Sequence, residues 1–133
     1  MKISVVGAVR GRVHGFIEGV DSLIKQAEDI SQVEFIFRFD KDDENTIEKV
    51  REYYSETEIN LKILVGKRHG YLFMNKYWDE CVNESDGEYI LTWTDDMTMH
   101  HENSKGWDTE IRKFKHNFFI LDFPDAVRYP KWP

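Results

Sequence analysis

The fold is indicated first by residues 33–40, which read VEFIFRFD. Apolar side chains occupy every second position from Val33 to Phe39, with Ile36 on the other face, and such β-branched and aromatic residues favour a strand. The run then passes directly into the charged sequence DKDD at residues 40–43. It therefore predicts a strand that leads from the interior of the protein to an acidic loop.

Three similar strands and three helices are predicted around this one. Short apolar runs that stop at Gly7, Val65 and Trp93 predict the strands, and residues with helical three-and-four spacing fill the segments between them. The first helix runs from Phe16 to Ala27, and Asn45 or Thr46 caps the second. The third is predicted to bury one side, formed by Tyr71, Met74, Trp78, Cys81 and Val82. Tyr77 is also expected to belong to the core, and Cys81 to be an inert buried thiol.

The remaining chain is predicted to form a loop over 97–104, a short helix over 107–115, a last strand over 117–123 and an irregular tail over 124–133. Strands that alternate with helices imply right-handed crossovers, so the sheet is mainly parallel with helices on both faces. We therefore expect a single Rossmann-like α/β domain over residues 1–123, followed by the tail.

Composition, charge and cysteine count exclude several classes of protein. The chain has 133 residues with 41% hydrophobic types, enough for one domain with its own core. Its formal charge of -7 argues against nucleic acid as a partner and against a general affinity for anionic lipid. Cys81 is the only cysteine, so no intrachain disulfide can form. With no apolar run near the roughly 20 residues of a transmembrane segment, these features predict a cytoplasmic protein.

Charged residues follow each of the four predicted strands. They are Arg10 and Arg12 after the first, Asp40, Asp42 and Asp43 after the second, Lys67, Arg68 and His69 after the third, and Asp95 and Asp96 after the fourth. Because the carboxyl ends of parallel strands share one edge, we expect these loops to converge on one site. Cations suit phosphate oxygens and carboxylates suit a divalent ion, so the mixture favours a nucleoside diphosphate.

Each cluster also has a simpler interpretation as a polar turn that meets water. The run that starts at Asp40 is not a calcium-binding EF-hand loop, because Asn45 and Arg51 stand where that loop needs a glycine and a bidentate acid. Asp95 and Asp96 are the stronger signal, since adjacent acids after an apolar strand repel each other unless a cation or solvent relieves them. The pair His100-His101 is more typical of an exposed loop than of a zinc site.

Several blocks of the sequence, taken in order, resemble the family-two glycosyltransferases of the GT-A fold. They are the opening strand with its Gly/Arg loop, the strand that ends at Asp40, the segment GEYILTWTDD at residues 87–96, and the Gly-Trp-Asp sequence that ends at Asp108. The resemblance covers residues 1 to 108. It implies a protein that binds a nucleotide-diphospho-sugar and transfers the sugar, of hexosyl type, to an acceptor.

The resemblance also implies roles for particular residues. The acid that ends the second strand binds the base or ribose of the donor, which gives this role to Asp40 with Asp42 beside it. The loop after the first strand corresponds to residues 8–12. The residues implied to contact the nucleotide are thus Ala8, Arg10, Arg12, Asp40, Asp42, Lys67, Arg68 and Asp95. The family's Asp-x-Asp motif, which binds Mn²⁺ or Mg²⁺ with the diphosphate, aligns on residues 94–96, so Asp95 and Asp96 are the implied metal ligands.

The family's general base has no clear counterpart here, and members of the family generally extend well beyond the motif. Asp108 is the residue we predict for the base, because Trp107 beside it can stack on a sugar ring. The alternative function is a non-catalytic nucleotide-sugar-binding remnant. A third reading, a nucleotidyltransferase on the same kind of sheet, lacks a Gly-x-x-x-x-Gly-Lys-Ser/Thr loop. A small sheet with aromatic residues in its tail also makes a homodimer one expectation.

Overall fold

The computed structural model describes residues 2–100 and 106–113, and the backbone of residues 127–128. The strands are β1 Ile3–Val9, β2 Val33–Asp40, β3 Asn60–Gly66, β4 Tyr89–Thr92, β5 Thr98–Met99 and β6 Val127–Arg128. The helices are α1 Val13–Gln26, α2 Glu44–Tyr54, α3 Met74–Asn83 and α4 Trp107–Arg112, with 3-10 turns at Ile30–Gln32 and Tyr71–Phe73.

Four strands form one sheet in the order β3-β2-β1-β4, and all of its neighbouring pairs are parallel. The chain therefore moves outward from β1 through β2 to β3 and then returns to the other side of β1 to form β4. This reversal of direction lies between β1 and β4, where parallel α/β sheets open a crevice beyond their strand ends. The predicted α/β class with a parallel sheet is confirmed.

The two faces of the sheet are covered unequally. One face carries the odd-numbered residues of β1 and β2, which pack with α1, α2 and α4 into the main core. Phe16 of α1 meets the rings of Phe37 and Phe39 edge to face, with centroids 4.7 Å and 6.1 Å away. Such pairs add to the stability that burial of the rings provides. The predicted alternation of β2 is thus confirmed on this face.

The other face is covered by α3 and holds a smaller core of Val6, Ile36 and Cys81. Polar side chains are buried at both ends of this face, among them Glu34 and Arg38. All eight residues of β2 are buried, so the strand has no solvent face. This is typical of a central strand in a sheet with helices on both sides.

The predicted inner side of the third helix is partly wrong. Tyr77 and Cys81 are buried, whereas Tyr71 and Val82 are exposed. The chain forms a separate 3-10 turn at Tyr71–Phe73 before α3 begins, which breaks the helical phase between these residues. Cys81 is an unreactive thiol as expected, because burial raises its pKa to about 11.

The carboxyl-terminal third differs from the sequence prediction in two places. A two-residue strand, β5, lies within the predicted loop, and it pairs antiparallel with β6, which lies within the tail predicted to be irregular. The helix predicted over 107–115 is confirmed as α4, which ends at Arg112 with Lys113 as its C-cap, while residues 114–115 lie outside the described part of the chain. The strand predicted over 117–123 lies outside the described residues. No helix in the described part of the chain is long and apolar enough to cross a membrane.

Candidate functional site

The loops that follow β1 and β2 are joined by charged hydrogen bonds at the carboxyl edge of the sheet. The Arg10 guanidinium donates to Asp40 Oδ2 at 3.0 Å and to Asp42 Oδ1 at 2.6 Å. The backbone N–H of Gly11 donates to Asp43 Oδ2 at 2.7 Å. Arg10 remains partly exposed, with 42% of its side chain accessible. It can therefore reach both its acidic partners and a ligand.

The loop after β4 meets the same place from the other side. Arg12 Nη1 lies 3.8 Å from Asp95 Oδ1, so the arginine loop and the paired aspartates face each other across the reversal between β1 and β4. Arg12 has a φ of 47° and is the only non-glycine residue of the described chain with a positive φ. Backbone in this region costs energy for a residue with a Cβ and is found most often at functional turns.

Glycines bring the loop that contains Asp95 close to β1 and α1. A Cβ on Gly7 would lie 2.2 Å from the carbonyl oxygen of Trp93, and one on Gly19 would lie 2.3 Å from that of Met97. Gly15, in the first turn of α1, approaches the carbonyl of Asp95 in the same way, with 3.1 Å to an added Cβ. The carboxylate pair is therefore placed by backbone packing against the helix.

The two acids of this loop have different surroundings. Burial raises the pKa of Asp95, the nearby Arg12 charge lowers it, and the Asp96 charge raises it further, with a net increase. Asp96 accepts a hydrogen bond from the Thr94 hydroxyl at 2.5 Å, so the residue at the first position of the motif orients its last acid. The described residues contain no group of three His, Cys, Asp or Glu side chains that could hold a metal ion. Two adjacent carboxylates still fit an ion that is shared with phosphates, as Mg²⁺ commonly is.

Asp40 lies almost fully buried in a network that the sequence prediction did not include. Its Oδ1 accepts a hydrogen bond from the Tyr77 hydroxyl at 2.7 Å. The same hydroxyl accepts from the backbone N–H groups of His69 at 2.8 Å and Gly70 at 3.2 Å. Tyr77 thus connects Asp40 to the loop after β3, where sequence analysis expected only packing from a helix side chain.

Arg38 is the second residue that sequence analysis missed. Its side chain is 3% exposed, lies 3.5 Å from Asp40 Oδ1 and forms an ion pair with Glu80 at 2.7 Å. It also donates to the carbonyl of Lys67 at 2.7 Å and stacks over the Tyr77 ring at 5.0 Å. A charged residue between two phenylalanines of a buried strand requires partners, and that pattern is the signal that could have found it.

The other predicted nucleotide contacts lie at the border of this cluster. Ala8 is half-buried on β1 and stands opposite Arg38 in the strand register. Lys67 and Arg68 are exposed on the loop after β3. The Arg10 hydrogen bond is the main cause that lowers the pKa of Asp42, and the Arg68 charge adds to it. The structure therefore brings the predicted nucleotide residues to one edge.

Asp108 does not belong to this group. Its carboxylate is fully buried and accepts from the backbone N–H groups of Glu28 at 2.9 Å and Asp29 at 3.0 Å. Arg112 forms an ion pair with it at 3.2 Å. Since α1 ends just before these two residues and β2 begins shortly after them, Asp108 lies at the amino edge of the sheet. The geometry argues against the predicted role as a base, because the carboxylate is occupied and faces the wrong edge.

A groove outside this cluster lies between the amino-terminal half of α1 and α2. It has a volume of about 400 Å³ and is lined by Val13, His14, Ile17, Lys49, Glu52 and Tyr53. None of the residues predicted for the site lines it. The charged edge, rather than this groove, is the feature that carries chemical groups suited to a phosphate ligand.

No protein-family model and no curated protein matches the sequence. Among solved structures, the chain is similar to TarS 1-349 from S. aureus, with a TM-score of 0.67 and 23% identity over 85% of this chain and 33% of that one. The same TarS fragment in complex with UDP-GlcNAc gives 0.67 and 21%, over 85% and 32%. The mannosyltransferase PcManGT from Pyrobaculum calidifontis, in complex with GDP-Man and Mn²⁺, gives 0.67 and 13%, over 77% and 29%.

The chain spans about one third of the length of these structures. The TM-scores establish a common fold. Because the identities are low, the ligand of this chain has to be argued from its own residues. The chain has the α/β fold that these glycosyltransferase structures share over the matched region.

Proposed function

We propose that the chain is a family-two, GT-A-type glycosyltransferase protein that binds a nucleotide-diphospho-hexose at the carboxyl edge of its sheet. The observation that carries the proposal is the meeting of two arginines and two carboxylates at the carboxyl edge of the sheet. Arg10 binds Asp40 at the end of β2, and Arg12 lies against Asp95 in the loop after β4. Structural neighbours in complex with UDP-GlcNAc and GDP-Man support this choice of ligand.

Asp40 binds the nucleoside end of the donor in this proposal. A carboxylate held by Tyr77 and Arg10 has a fixed orientation and keeps lone pairs for a ribose hydroxyl or a base N–H. Ala8 stands opposite Arg38 on β1, two residues before Arg10, and its small side chain leaves room for the nucleoside. Asp42 completes this end through its bidentate contact with Arg10.

The diphosphate lies between the arginine loop and the loop after β4. Arg12 is 65% exposed and is held only loosely by Asp95, at 3.8 Å. It can exchange that carboxylate for a phosphate oxygen, which presents a stronger charge-assisted acceptor. The amino terminus of α1 begins at the next residue, and helix N–H groups favour an anion there. Lys67 and Arg68 add positive charge from the loop after β3.

Asp95 and Asp96 would hold Mn²⁺ or Mg²⁺ together with the diphosphate. Adjacent acids, one of them with a raised pKa, are stabilised in their charged form by a cation. Such an ion supplies Lewis-acid stabilisation of the departing diphosphate. Arg12, freed from Asp95 by the ligand, contributes a second positive charge to the same oxygens.

A second function is favoured by the position of Asp108. Its carboxylate is occupied at the amino edge, so the residue predicted for the base does not face the carboxyl edge, where the donor is proposed to bind. This observation supports donor binding without transfer by this chain alone. The two functions share the donor site and differ only in whether a sugar is moved.

The proposal is tested by thermal unfolding with UDP, GDP, UDP-GlcNAc and GDP-mannose, each with and without Mn²⁺. A ligand at about 100 times its dissociation constant adds about 2.7 kcal/mol to the free energy of unfolding, which is readily measured. We expect stabilisation by at least one nucleotide. The absence of any shift with the whole set contradicts both donor transfer and donor binding.

Matched variants separate the metal from the nucleotide. Asp96→Ala should remove the part of the stabilisation that depends on Mn²⁺, whereas Glu48→Ala, at an exposed position of α2, should leave it unchanged. A metal-dependent shift that survives in Asp96→Ala contradicts the metal role. Release of free sugar, or transfer to an added acceptor, then distinguishes the enzyme from the binding module.

A further inference from the structure

Three consecutive apolar side chains project into solvent at the carboxyl edge of the sheet. Tyr71 is 86% exposed, Leu72 is 87% exposed and Phe73 is 48% exposed. They form the 3-10 turn between β3 and α3, which we call the apolar tip. Exposed single apolar residues are common in soluble proteins, but a run of three large ones is a feature of contact surfaces.

Positive charge surrounds the apolar tip. Residues 66–78 contain Lys67, Arg68 and Lys76 and no acidic residue, in a chain where acids outnumber Lys and Arg by 25 to 18. All three cations are exposed. The Lys76 ammonium lies 4.7 Å from the centroid of the Phe73 ring, so cation and apolar surface point the same way. The segment therefore presents an apolar wedge with a cationic border.

We propose that the apolar tip docks on the surface of an anionic lipid bilayer. Aromatic and aliphatic side chains enter the boundary between headgroups and acyl chains, while Lys and Arg beside them bind anionic headgroups. The arrangement of Phe73 and Lys76 fits this division, because the long lysine side chain can keep its charge at the headgroups while the ring is buried.

The size of the apolar tip favours a bilayer over a protein partner. A stable protein–protein contact buries about 800 Å² on each side. Aromatic side chains bury roughly 150–250 Å² each, so three side chains of this size fall short of that area. Binding to a bilayer requires less buried area, since the bilayer surrounds each inserted side chain and its anionic headgroups attract the cations at the border.

The negative charge of the whole chain does not oppose this contact. At physiological salt the Debye length is about 8 Å, so charges beyond the immediate surface are largely screened. Within that range the segment offers three cations, while Glu80 lies 3.3 Å from His69 and Asp42 lies close enough to Arg68 for that charge to lower its pKa, so the cationic border is carried mainly by Lys67 and Lys76. Sequence analysis excluded a general affinity for anionic lipid, and the surface proposed here is local.

The contact would set the orientation of the candidate site. The apolar tip follows Gly70, whose backbone N–H donates to the Tyr77 hydroxyl that also binds Asp40. Docking through the tip would therefore turn the carboxyl edge of the sheet toward the bilayer. This inference needs no nucleotide, so it stands or fails independently of the proposed function.

Sedimentation with vesicles tests the proposal on the full chain. One set of vesicles is phosphatidylcholine alone, and the other is phosphatidylcholine mixed with phosphatidylglycerol. We expect binding to the mixed vesicles, weaker binding at high salt and little binding to the neutral ones. The double variant Leu72→Ser/Phe73→Ser should lose about tenfold or more in affinity. Its matched control is Val82→Ser/Ile90→Ser, which changes two exposed apolar residues outside the tip.

A charge variant is tested in parallel. Lys67→Gln/Lys76→Gln should weaken binding by about thirtyfold, since each cation near an anionic surface contributes about 1 kcal/mol. Lys49→Gln/Arg51→Gln, two exposed cations of α2, should leave it unchanged. Equal binding to both kinds of vesicle, or equal loss in tip and control variants, overturns the proposal.

A measurement that does not depend on loss of binding completes the test. Cys81 is fully buried, so Leu72→Cys offers a single accessible thiol for an environment-sensitive dye. The dye at position 72 should report an apolar environment when mixed vesicles are added, and the same dye on Val82→Cys should not. No response at position 72, or no sedimentation of the unmodified chain, contradicts docking through the apolar tip.

Discussion

Two carboxylates, one at each edge of the parallel sheet, have pKa values that are shifted in opposite directions. At the amino edge, burial alone would raise the pKa of Asp108, but bonds from the backbone N–H groups of Glu28, Asp29 and Thr109 and the Arg112 charge outweigh it, and the pKa is lowered. At the carboxyl edge, burial raises the pKa of Asp95, and Arg12 at 3.8 Å only partly opposes it. The first acid is fully partnered, and the second is not.

Glu34 is a second structural acid, held through its Oε1, while its buried Oε2 has no hydrogen-bond partner among the described residues. It is buried near the amino edge, where it accepts from the Ser4 hydroxyl at 2.8 Å and from the backbone N–H of Asp86 at 2.7 Å. Like Asp108, it connects segments that are distant in sequence. Asp108 and Glu34 at the amino edge therefore stabilise the fold, whereas Asp95 and the exposed Asp42 at the carboxyl edge remain open to a ligand. This division can be tested by substitution at each edge.

The largest effect is expected from Asp108→Asn. The amide keeps one acceptor oxygen and loses the charge that faces Arg112, so we expect a loss of about 2–4 kcal/mol in the free energy of unfolding by urea. Glu110→Gln, which removes an exposed ion pair with Lys113 on the same helix, should cost about 0.5 kcal/mol or less. Equal costs for the two variants would remove the distinction between the edges.

The pH dependence of stability sharpens the same contrast. Because the pKa of Asp108 is lower in the folded state, its contribution is present above the unfolded-state pKa of about 4 and is lost as pH falls through the folded-state value. The difference in unfolding free energy between the native chain and Asp108→Asn should therefore shrink below about pH 4. A difference that stays constant down to pH 2 would show that charge is not the cause.

Tyr77→Phe should have an intermediate effect at the carboxyl edge. It leaves the buried Asp40 and two backbone N–H groups short of a partner, so we expect a loss of about 1–2 kcal/mol in stability. Nucleotide affinity should fall as well, because Asp40 is no longer oriented. Tyr53→Phe, whose exposed hydroxyl donates to Asp21, serves as the control and should change neither quantity appreciably.

Arg12→Gly should separate stability from ligand binding. Glycine adopts a φ of 47° without strain, so the free energy of unfolding should rise by about 0.5–1 kcal/mol. The stabilisation by nucleotide should fall, since the cation is lost. Arg12→Ala is the matched variant, because it loses the charge and keeps the strain. If Arg12→Gly binds nucleotide as well as the native chain, Arg12 has no role at the diphosphate.

The smallest effect is expected from Asp42→Asn, at the exposed end of the carboxyl edge. Its carboxylate pairs with Arg10 in solvent, where such pairs contribute little to folding. Urea unfolding should show no measurable change, while affinity for the nucleotide decreases. A marked loss of stability would show that this pair stabilises the fold, as the contacts at the amino edge do.

Much of the architecture followed from local patterns. A period-two run predicted β2 and short apolar runs predicted the other three parallel strands. Helical spacing predicted α1 and α2, because burial on one side leaves a repeat that is visible over a few residues. The charged loops also followed, since parallel strands place their carboxyl ends together whatever their order. The phase of α3 did not follow, because the turn at Tyr71–Phe73 separates it from the residues before it.

The sequence predicted where the candidate site lies better than it predicted which residues are in contact there. Arg10, Asp40 and Asp95 meet where the loops were expected to converge. Tyr77 was read as core, because helical spacing shows which side of a helix is buried and does not show what its hydroxyl meets. Arg38 was missed as one charge within an apolar strand, although its burial depends on partners from two other segments, α3 and the loop after β3.

The repeats of apolar residues were sufficient to predict strands, helices and a shared charged edge, because each repeat spans only a few positions and is visible in the local sequence. The condition of each carboxylate depended on folding. Asp108 meets the N–H groups of Glu28 and Asp29, which lie 80 and 79 residues away in sequence, whereas Asp95 faces Arg12 from across the reversal. Whether an acid stabilises the fold or can bind a ligand depends on how many hydrogen-bond donors distant segments bring to it. The local sequence around the acid does not show the number of these donors.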